Sequence, residues 1–246
     1  HASPLLAGRD RDSKYALPAS AKRPMMRLMA TVVVTGANRG IGLELSKQLT
    51  ERGDEVIALC REASPELAQI AARVIQGVEV TDGASLAAAA DALDGVAIDV
   101  LVNNAGIFTN ETFHGIDFDE IRRNFEVNAL GALRVTHALQ ARLAPAAKII
   151  LITSRMGSIE DNGSGAYYGY RMAKAALNMA GVNLALDFRG KASVAILHPG
   201  LVATRMTGFS GISTEESASG LIARIDALTP ETSGSFWHAN GERLPW

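Results

Sequence analysis

From Thr31 onward, short apolar runs alternate with stretches whose apolar residues recur every three or four positions. Thr31-Val32-Val33-Val34-Thr35 is β-branched and predicts a buried strand. A glycine-rich turn follows, then a helical pattern from Ile41 to Glu51. Strands are predicted at Val56–Leu59, Val74–Val80, Asp99–Asn103, Lys148–Thr153, Ser193–Leu197 and Phe236–His238. Helical patterns lie between them at Pro65–Ala72, at Ala84–Leu93, from Phe118 to Leu143, and after Gly165. Strands alternating with helices imply right-handed crossovers and a parallel sheet covered on both faces. The predicted class is therefore α/β, a doubly wound parallel sheet in one domain, residues 31–246.

Two helices carry more information than the others. Phe118, Ile121, Phe125, Asn128, Ala132, Val135 and Leu139 fall on one helical face, with Asn128 its only polar member. A buried amide must hold hydrogen bonds, whether to brace a backbone bend or to serve a site. In the later helix, Tyr170, Lys174, Leu177, Gly181, Leu184 and Phe188 form an inner stripe. Met172, Ala176, Met179, Asn183 and Leu186 form a second stripe that nothing else in a two-layered chain would cover, so a homodimer through this helix and the one around Asn128 is expected. Thr204–Ala218 is rich in Gly, Ser and Thr and reads as a mobile flap. Its Met206, Phe209 and Ile212 point to an apolar ligand, and Ser213 with Glu216 resembles a capping box that starts a short helix.

Composition narrows the classes. The chain has 246 residues, 48% of them hydrophobic, and a net charge of −2, so neither nucleic-acid binding nor a general polyanion surface is implied. A single cysteine, Cys60, excludes a disulfide framework within the chain and suits a reducing cytoplasm. No apolar run reaches the roughly 18 residues of a membrane span, and no metal-ligand cluster stands out. Residues 1–30 mix Arg, Lys and Pro without periodicity and lack the apolar core of a signal peptide. They read as a cloning remnant or upstream extension without stable structure; a basic targeting segment is the competing reading.

The candidate chemistry gathers at the carboxyl ends of the predicted strands, where open α/β sheets bind ligands. Gly36-Ala37-Asn38-Arg39-Gly40-Ile41-Gly42 links strand to helix, the arrangement that sets a pyrophosphate on helix N-terminal amides. A plain turn needing positive φ is the simpler alternative. Where the second strand ends, Cys60-Arg61 stands in place of the acidic residue usual for NAD. Arg61 and Arg39 can meet a 2′-phosphate, which favours NADP(H). Asn103-Asn104-Ala105-Gly106 ends the fourth strand with small residues that let a flat ligand pass. Ser154 ends the fifth, as a turn former or as a donor to a substrate oxygen. Tyr170 and Lys174, four apart on a helix, share a face. A phenol of pKa about 10 is a poor acid or base near neutrality, and a fixed ammonium beside it would lower that value.

Together these motifs resemble the short-chain dehydrogenase/reductase family, in the family's order and over Thr31–Trp246. The branch is similar to the C-factor and sniffer-type carbonyl reductases, through Ser154–Ile159, Tyr168–Lys174 and the Gly-Glu-Arg-Leu-Pro-Trp end. The resemblance implies a Rossmann-type domain of about seven strands in the order 3-2-1-4-5-6-7. It implies reduction of a ketone, aldehyde or quinone by NADPH, with Ser154 polarising the carbonyl, Tyr170 as acid and Lys174 binding ribose and lowering the tyrosine pKa. Asn128 would hold a water of the proton relay. Thr204 would bond the nicotinamide amide, and Pro199, Gly200 and Val202 would line the cofactor site. Two departures stand out: the step of 16 residues from Ser154 to Tyr170 is long for the family, and Glu79 replaces an aspartate at the adenine end. Ser158 is a weaker candidate than Ser154, and of Tyr167, Tyr168 and Tyr170 only the last has a lysine four residues on. A dinucleotide-binding sensor with little turnover is the rival reading.

Overall fold

The computed structural model describes residues 29–246; the reading of the N-terminal extension lies almost wholly outside them. Seven strands form one parallel sheet in the order β3-β2-β1-β4-β5-β6-β7. These are β1 (Thr31–Thr35), β2 (Glu55–Leu59), β3 (Arg73–Ile75), β4 (Ile98–Asn103), β5 (Leu143–Ile152), β6 (Ala192–His198) and β7 (Ser235–His238). Among the described residues seven α-helices cover the two faces: α1 (Gly40–Glu51), α2 (Pro65–Ile70), α3 (Gly83–Ala92), α4 (Phe118–Asn124), α5 (Ala132–Leu139), α6 (Tyr168–Asp187) and α7 (Thr214–Ala227). The expected order and class are as observed.

The strands are apolar on both sides because both sides are buried. Val32 and Val34 pack with Leu45 and Leu49 of α1 and with Leu221 and Ile225 of α7. Val33, between them, points the other way, toward Leu86 of α3 and Val135 and Leu139 of α5. Ile149 and Leu151 meet Leu177 and Leu184 of α6 together with Phe236 of β7. Each fully buried aliphatic side chain contributes about 1.5–3 kcal/mol relative to exposure, which fixes the register of every strand. Among the described residues no helix is long and apolar enough to cross a membrane.

Four expectations need correction. β3 stops at Ile75 rather than Val80, because Gly77 adopts a left-handed φ of 74° and turns the chain out of the ladder. The helix expected from Phe118 to Leu143 is broken by a π-helical turn over Phe125–Gly131. Each π turn carries extra residues per turn, so the stripe slips: Phe118 is exposed, and a second amide, Asn124, joins Asn128 in the interior. The flap is shorter than expected. Ser213 does cap a helix, accepting from the Glu216 amide, but α7 runs for 14 residues and buries Ala218 and Leu221 against the sheet. Ile212 pairs with Val202 and packs toward Gly200 rather than facing a ligand.

The inner stripe of α6 is buried from Tyr170 through Leu184, and the outer stripe is not: Met172, Met179 and Leu186 are all exposed, as are Leu130 and Leu133. After β7 the chain reverses at Gly241 and runs back beside it. The His238 amide donates to Glu242, the Leu244 amide to Phe236, and the Trp246 ring stacks on Phe236 at 5.6 Å.

Candidate active site

The strand order reverses between β1 and β4, and the turns that leave these two strands form the floor of a cleft of about 1420 Å³. They touch through Thr35. Its buried hydroxyl donates to the Val102 carbonyl and accepts from the amides of Asn104 and Ala105, at 3.0–3.3 Å. Gly36 sits at φ 64°, and a Cβ there would lie 2.9 Å from the Ala105 backbone. At Gly42 a Cβ would lie 2.4 Å from both the Asn104 amide nitrogen and the Gly36 carbonyl. Only glycine fits either place. The result is a thin-walled cradle at the N-terminus of α1, whose first amides have no side-chain cap and carry no acidic neighbour. Those amides suit an anion such as a pyrophosphate.

Asn38 ties this loop to the end of β2 by donating to the Glu62 carbonyl at 3.0 Å. Arg39 and Arg61 line the outer end of the cleft, and Arg61 faces Glu79 at 3.6 Å. Glu62 lies in the same wall. A carboxylate is thus present near the end of β2 after all, and the two arginines, not its absence, carry the argument for a phosphate.

At the inner end, Tyr170 and Lys174 are buried, at 8% and 4% exposure, with the ammonium 5.7 Å from the ring centre. The Lys174 ammonium donates to the Ile152 carbonyl at 2.9 Å. Ser154 hydrogen-bonds to the Tyr170 phenol, and its oxygen also accepts from the Met156 amide at 3.1 Å. Burial pushes the phenol up to about 12, a rise that the Ser154 hydrogen bond opposes. Burial also brings the ammonium down to about 8. The expected lowering of the tyrosine is therefore not what the protein alone produces. Desolvation outweighs a lysine that approaches the ring and whose own charge is disfavoured. The phenol is held protonated at neutral pH, the form that donates.

Asn128 lies in the π turn beside this pair. Its oxygen accepts from the Ile107 amide, and its nitrogen donates to the Ile107 carbonyl and to Asn124, each at 2.9 Å. It clamps the loop after β4, which satisfies the amide; this bracing was the structural alternative left open by the sequence. Gly40, Ile41, Asn104, Ala105, Gly106, Pro199 and Thr204 line the cleft. Gly42, Gly200 and Val202 lie behind its wall, as supports. Ser158 is turned away, capping the loop before α6 by accepting from the Asp161 amide. Met206 and Phe209 line the mouth as expected. The sequence reading missed Phe108, whose ring meets Tyr170 edge-on at 4.9 Å, and the roles of Thr35 and Asn124. Among the described residues no cluster of metal-ligating side chains occurs.

The family model described as short chain dehydrogenase matches residues 30–213. The chain belongs to the short-chain dehydrogenase/reductase family. Within this family it is 44% identical over 226 residues to 1-hydroxy-2-glutathionyl-2-methyl-3-butene dehydrogenase of Rhodococcus sp. (strain AD45), covering 89% of the chain and 100% of that protein. It is 42% identical over 154 residues to C-signal of Myxococcus xanthus, covering 61% of the chain and 93% of that protein. The crystal structure of NADPH-bound carbonyl reductase from chicken fatty liver superposes with a TM-score of 0.81 at 31% identity, covering 89% of this chain and 99% of that one. A dehydrogenase/reductase of this family needs a nicotinamide cofactor, and the glycine cradle fits one.

The buried lysine makes a testable signature. Its folded-state pKa lies below the usual lysine value, so between pH 8 and 10 the unfolded chain holds more protons and stability rises with pH. Lys174→Met removes that gain. Urea unfolding of the ligand-free proteins at pH 8, 9 and 10 should show the wild type gaining on the mutant by up to about 1.4 kcal/mol per pH unit. Parallel pH dependence of the two proteins would show that Lys174 is not depressed.

Proposed function

We propose that the protein reduces a carbonyl compound, a ketone, aldehyde or quinone, with hydride from NADPH and a proton from Tyr170. The observation that carries this reading is the buried Tyr170–Lys174 pair at the inner end of a glycine-floored cleft, with Ser154, just behind the lining, hydrogen-bonded to the Tyr170 phenol. A bound nicotinamide supplies hydride to the carbonyl carbon. Ser154 orients the carbonyl oxygen by donating to it, beside Tyr170. The Tyr170 hydroxyl gives its proton to that oxygen as negative charge develops, so the C=O bond becomes CH–OH. Lys174 holds positive charge beneath the ring that is losing its proton, and Asn128 fixes the loop that walls the site. Phe108, packed edge-on against Tyr170, and the exposed apolar residues Met206 and Phe209 at the mouth favour an apolar substrate.

Alcohol oxidation is the second reading, favoured by the 44% identity to a Rhodococcus protein named as a dehydrogenase of a hydroxy compound. Oxidation needs Tyr170 as phenolate, which its raised pKa disfavours at neutral pH. Reduction is the direction the resting site supports. A sensor role, suggested by the likeness to C-signal, leaves the complete acid–base group without a task.

Three measurements test the proposal. Tyr170→Phe should lower turnover of ketones, aldehydes and quinones by roughly 10²–10⁴-fold with NADPH affinity unchanged; near-normal turnover would sink the mechanism. For the cofactor, Arg39 and Arg61 are assigned to the 2′-phosphate. Arg39→Ala and Arg61→Asp should each weaken NADPH binding by roughly ten- to hundredfold, as for lost charge-assisted hydrogen bonds, and leave NADH binding nearly unchanged. Wild type that binds NADH more tightly than NADPH contradicts the assignment. For assembly, the exposed outer stripe of α6 with Leu130 and Leu133 supports a homodimer through these helices. Light scattering at micromolar concentration should give twice the chain mass, and a monomer would refute it.

A further inference from the structure

The residues that fix Tyr170 in place lie outside the groups named so far. Tyr170 is the third residue of α6, and the helix begins badly. Ala166 and Tyr167 both adopt left-handed φ values, 55° and 53°, which side-chain-bearing residues avoid. Tyr167, at the N-cap position, gives no side-chain cap. Such strain persists only where the surroundings over-determine it.

Glu111, on the loop after β4, supplies what the helix lacks. It is buried, at 6% exposure. Its backbone carbonyl accepts from the Tyr167 amide at 2.8 Å, and its carboxylate accepts from the Gly169 amide at 3.4 Å. One residue thus caps both sides of the first turn of α6, and Tyr170 is the next residue along. A Cβ at Gly169 would lie 3.0 Å from the Glu111 carboxylate and 3.1 Å from the Asn124 amide, so a side chain there would push these groups apart by a few tenths of an ångström. The carboxylate also sits at the positive end of a 20-residue helix.

From Glu111 a chain of side chains leads inward. The Asn128 amide donates to Asn124 at 2.9 Å, the Asn124 amide donates to the Thr109 hydroxyl, and that hydroxyl donates to the Glu111 carboxylate. Every donor points toward Glu111. A run of donors in one direction ends on an acceptor, and the Glu111 carboxylate, which accepts from Thr109 and from the Gly169 amide, is that acceptor. At the other end, Asn128 holds Ile107, and its oxygen lies 2.9 Å from where a Cβ of Gly106 would be, against the cofactor cleft. Asn124 and Asn128, four residues apart, both face the interior and are joined at the start of the π turn.

We propose that Glu111 is a positioning residue for the proton donor. Through Gly169 it sets the first turn of α6 and hence Tyr170, and through Thr109, Asn124 and Asn128 it locks that turn to the wall of the cofactor cleft. The proposal rests on the reading of Tyr170 as the proton donor. Glu111 touches no reacting atom; it acts through the backbone that carries one.

Glu111→Gln is the direct probe. It keeps shape and volume but sets an amide donor against the Thr109 hydroxyl or the Gly169 amide. With NADPH and an aromatic ortho-quinone that the wild type reduces, kcat should fall by about 10- to 100-fold, the effect of misplacing a reacting group by about 1 Å. NADPH affinity and quinone KM should stay near wild type. Thr109 supplies a second pair of variants: Thr109→Val should lose kcat as Glu111→Gln does, and Thr109→Ser, which keeps the hydroxyl, should restore it. These two decide the matter if Glu111→Gln does not fold. Wild-type kcat in Glu111→Gln overturns the proposal. So does a loss of kcat matched by an equal loss of NADPH affinity, or a Thr109→Ser as impaired as Thr109→Val. Tyr170→Phe in the same assay separates the two claims. If it is inactive while Glu111→Gln is normal, only the positioning role fails; if it is active, the proton-donor reading fails.

Discussion

One buried hydroxyl holds the cleft together. Thr35 closes β1 with a bond to β4 and receives two amides from the turn that follows β4. In a sheet whose strand order reverses between these neighbours, the helices after β1 and β4 leave on opposite faces and a crevice opens between the turns. The crevice has a defined width only if the turns are tied. A valine at this position has the same shape and none of the three bonds. The glycines at 36 and 42 are the complement: the turns can be tied this tightly because no side chain stands between them.

The site sets burial against charge. Lys174 and Tyr170 are enclosed, and each is driven toward its neutral form. That costs stability, and a low-dielectric pocket magnifies any charge brought next to the pair, which the proposed mechanism uses. The Ile152 carbonyl at the end of β5 gives the ammonium a fixed partner, so the lysine is held in place even where its charge is disfavoured. In the proposed mechanism, acid–base function thus depends on strand ends as much as on the helix that carries the motif.

Much of this was legible in the sequence, because much of it is local. Apolar runs match five strands nearly to the residue, while β5 starts five residues before the expected Lys148; the glycine turn and the Tyr-Lys spacing are short-range patterns with direct geometric meaning. What escaped was set by longer-range causes. β3 ended early because of one glycine whose φ no pattern displays. The interruption of the helix around Asn128 changed which residues face inward, so Phe118 was misplaced and Asn124 overlooked. Glu111 sits in a polar loop with no periodicity, and only the fold brings it to α6. The direction of the Tyr170 shift also depended on burial, which a pair of residue names does not contain.

The returning tail has a consequence for how copies of the molecule can meet. β7 ends the sheet, and an outermost strand normally offers a row of free amides and carbonyls on which another chain could build. Here Glu242 and Leu244 occupy that row, and Trp246 seals the end by stacking on Phe236 and accepting the Glu160 amide at 2.8 Å. The opposite border, β3, is three residues long and too short to template much. Both borders are thus blunted, so strand-by-strand growth into fibres is disfavoured.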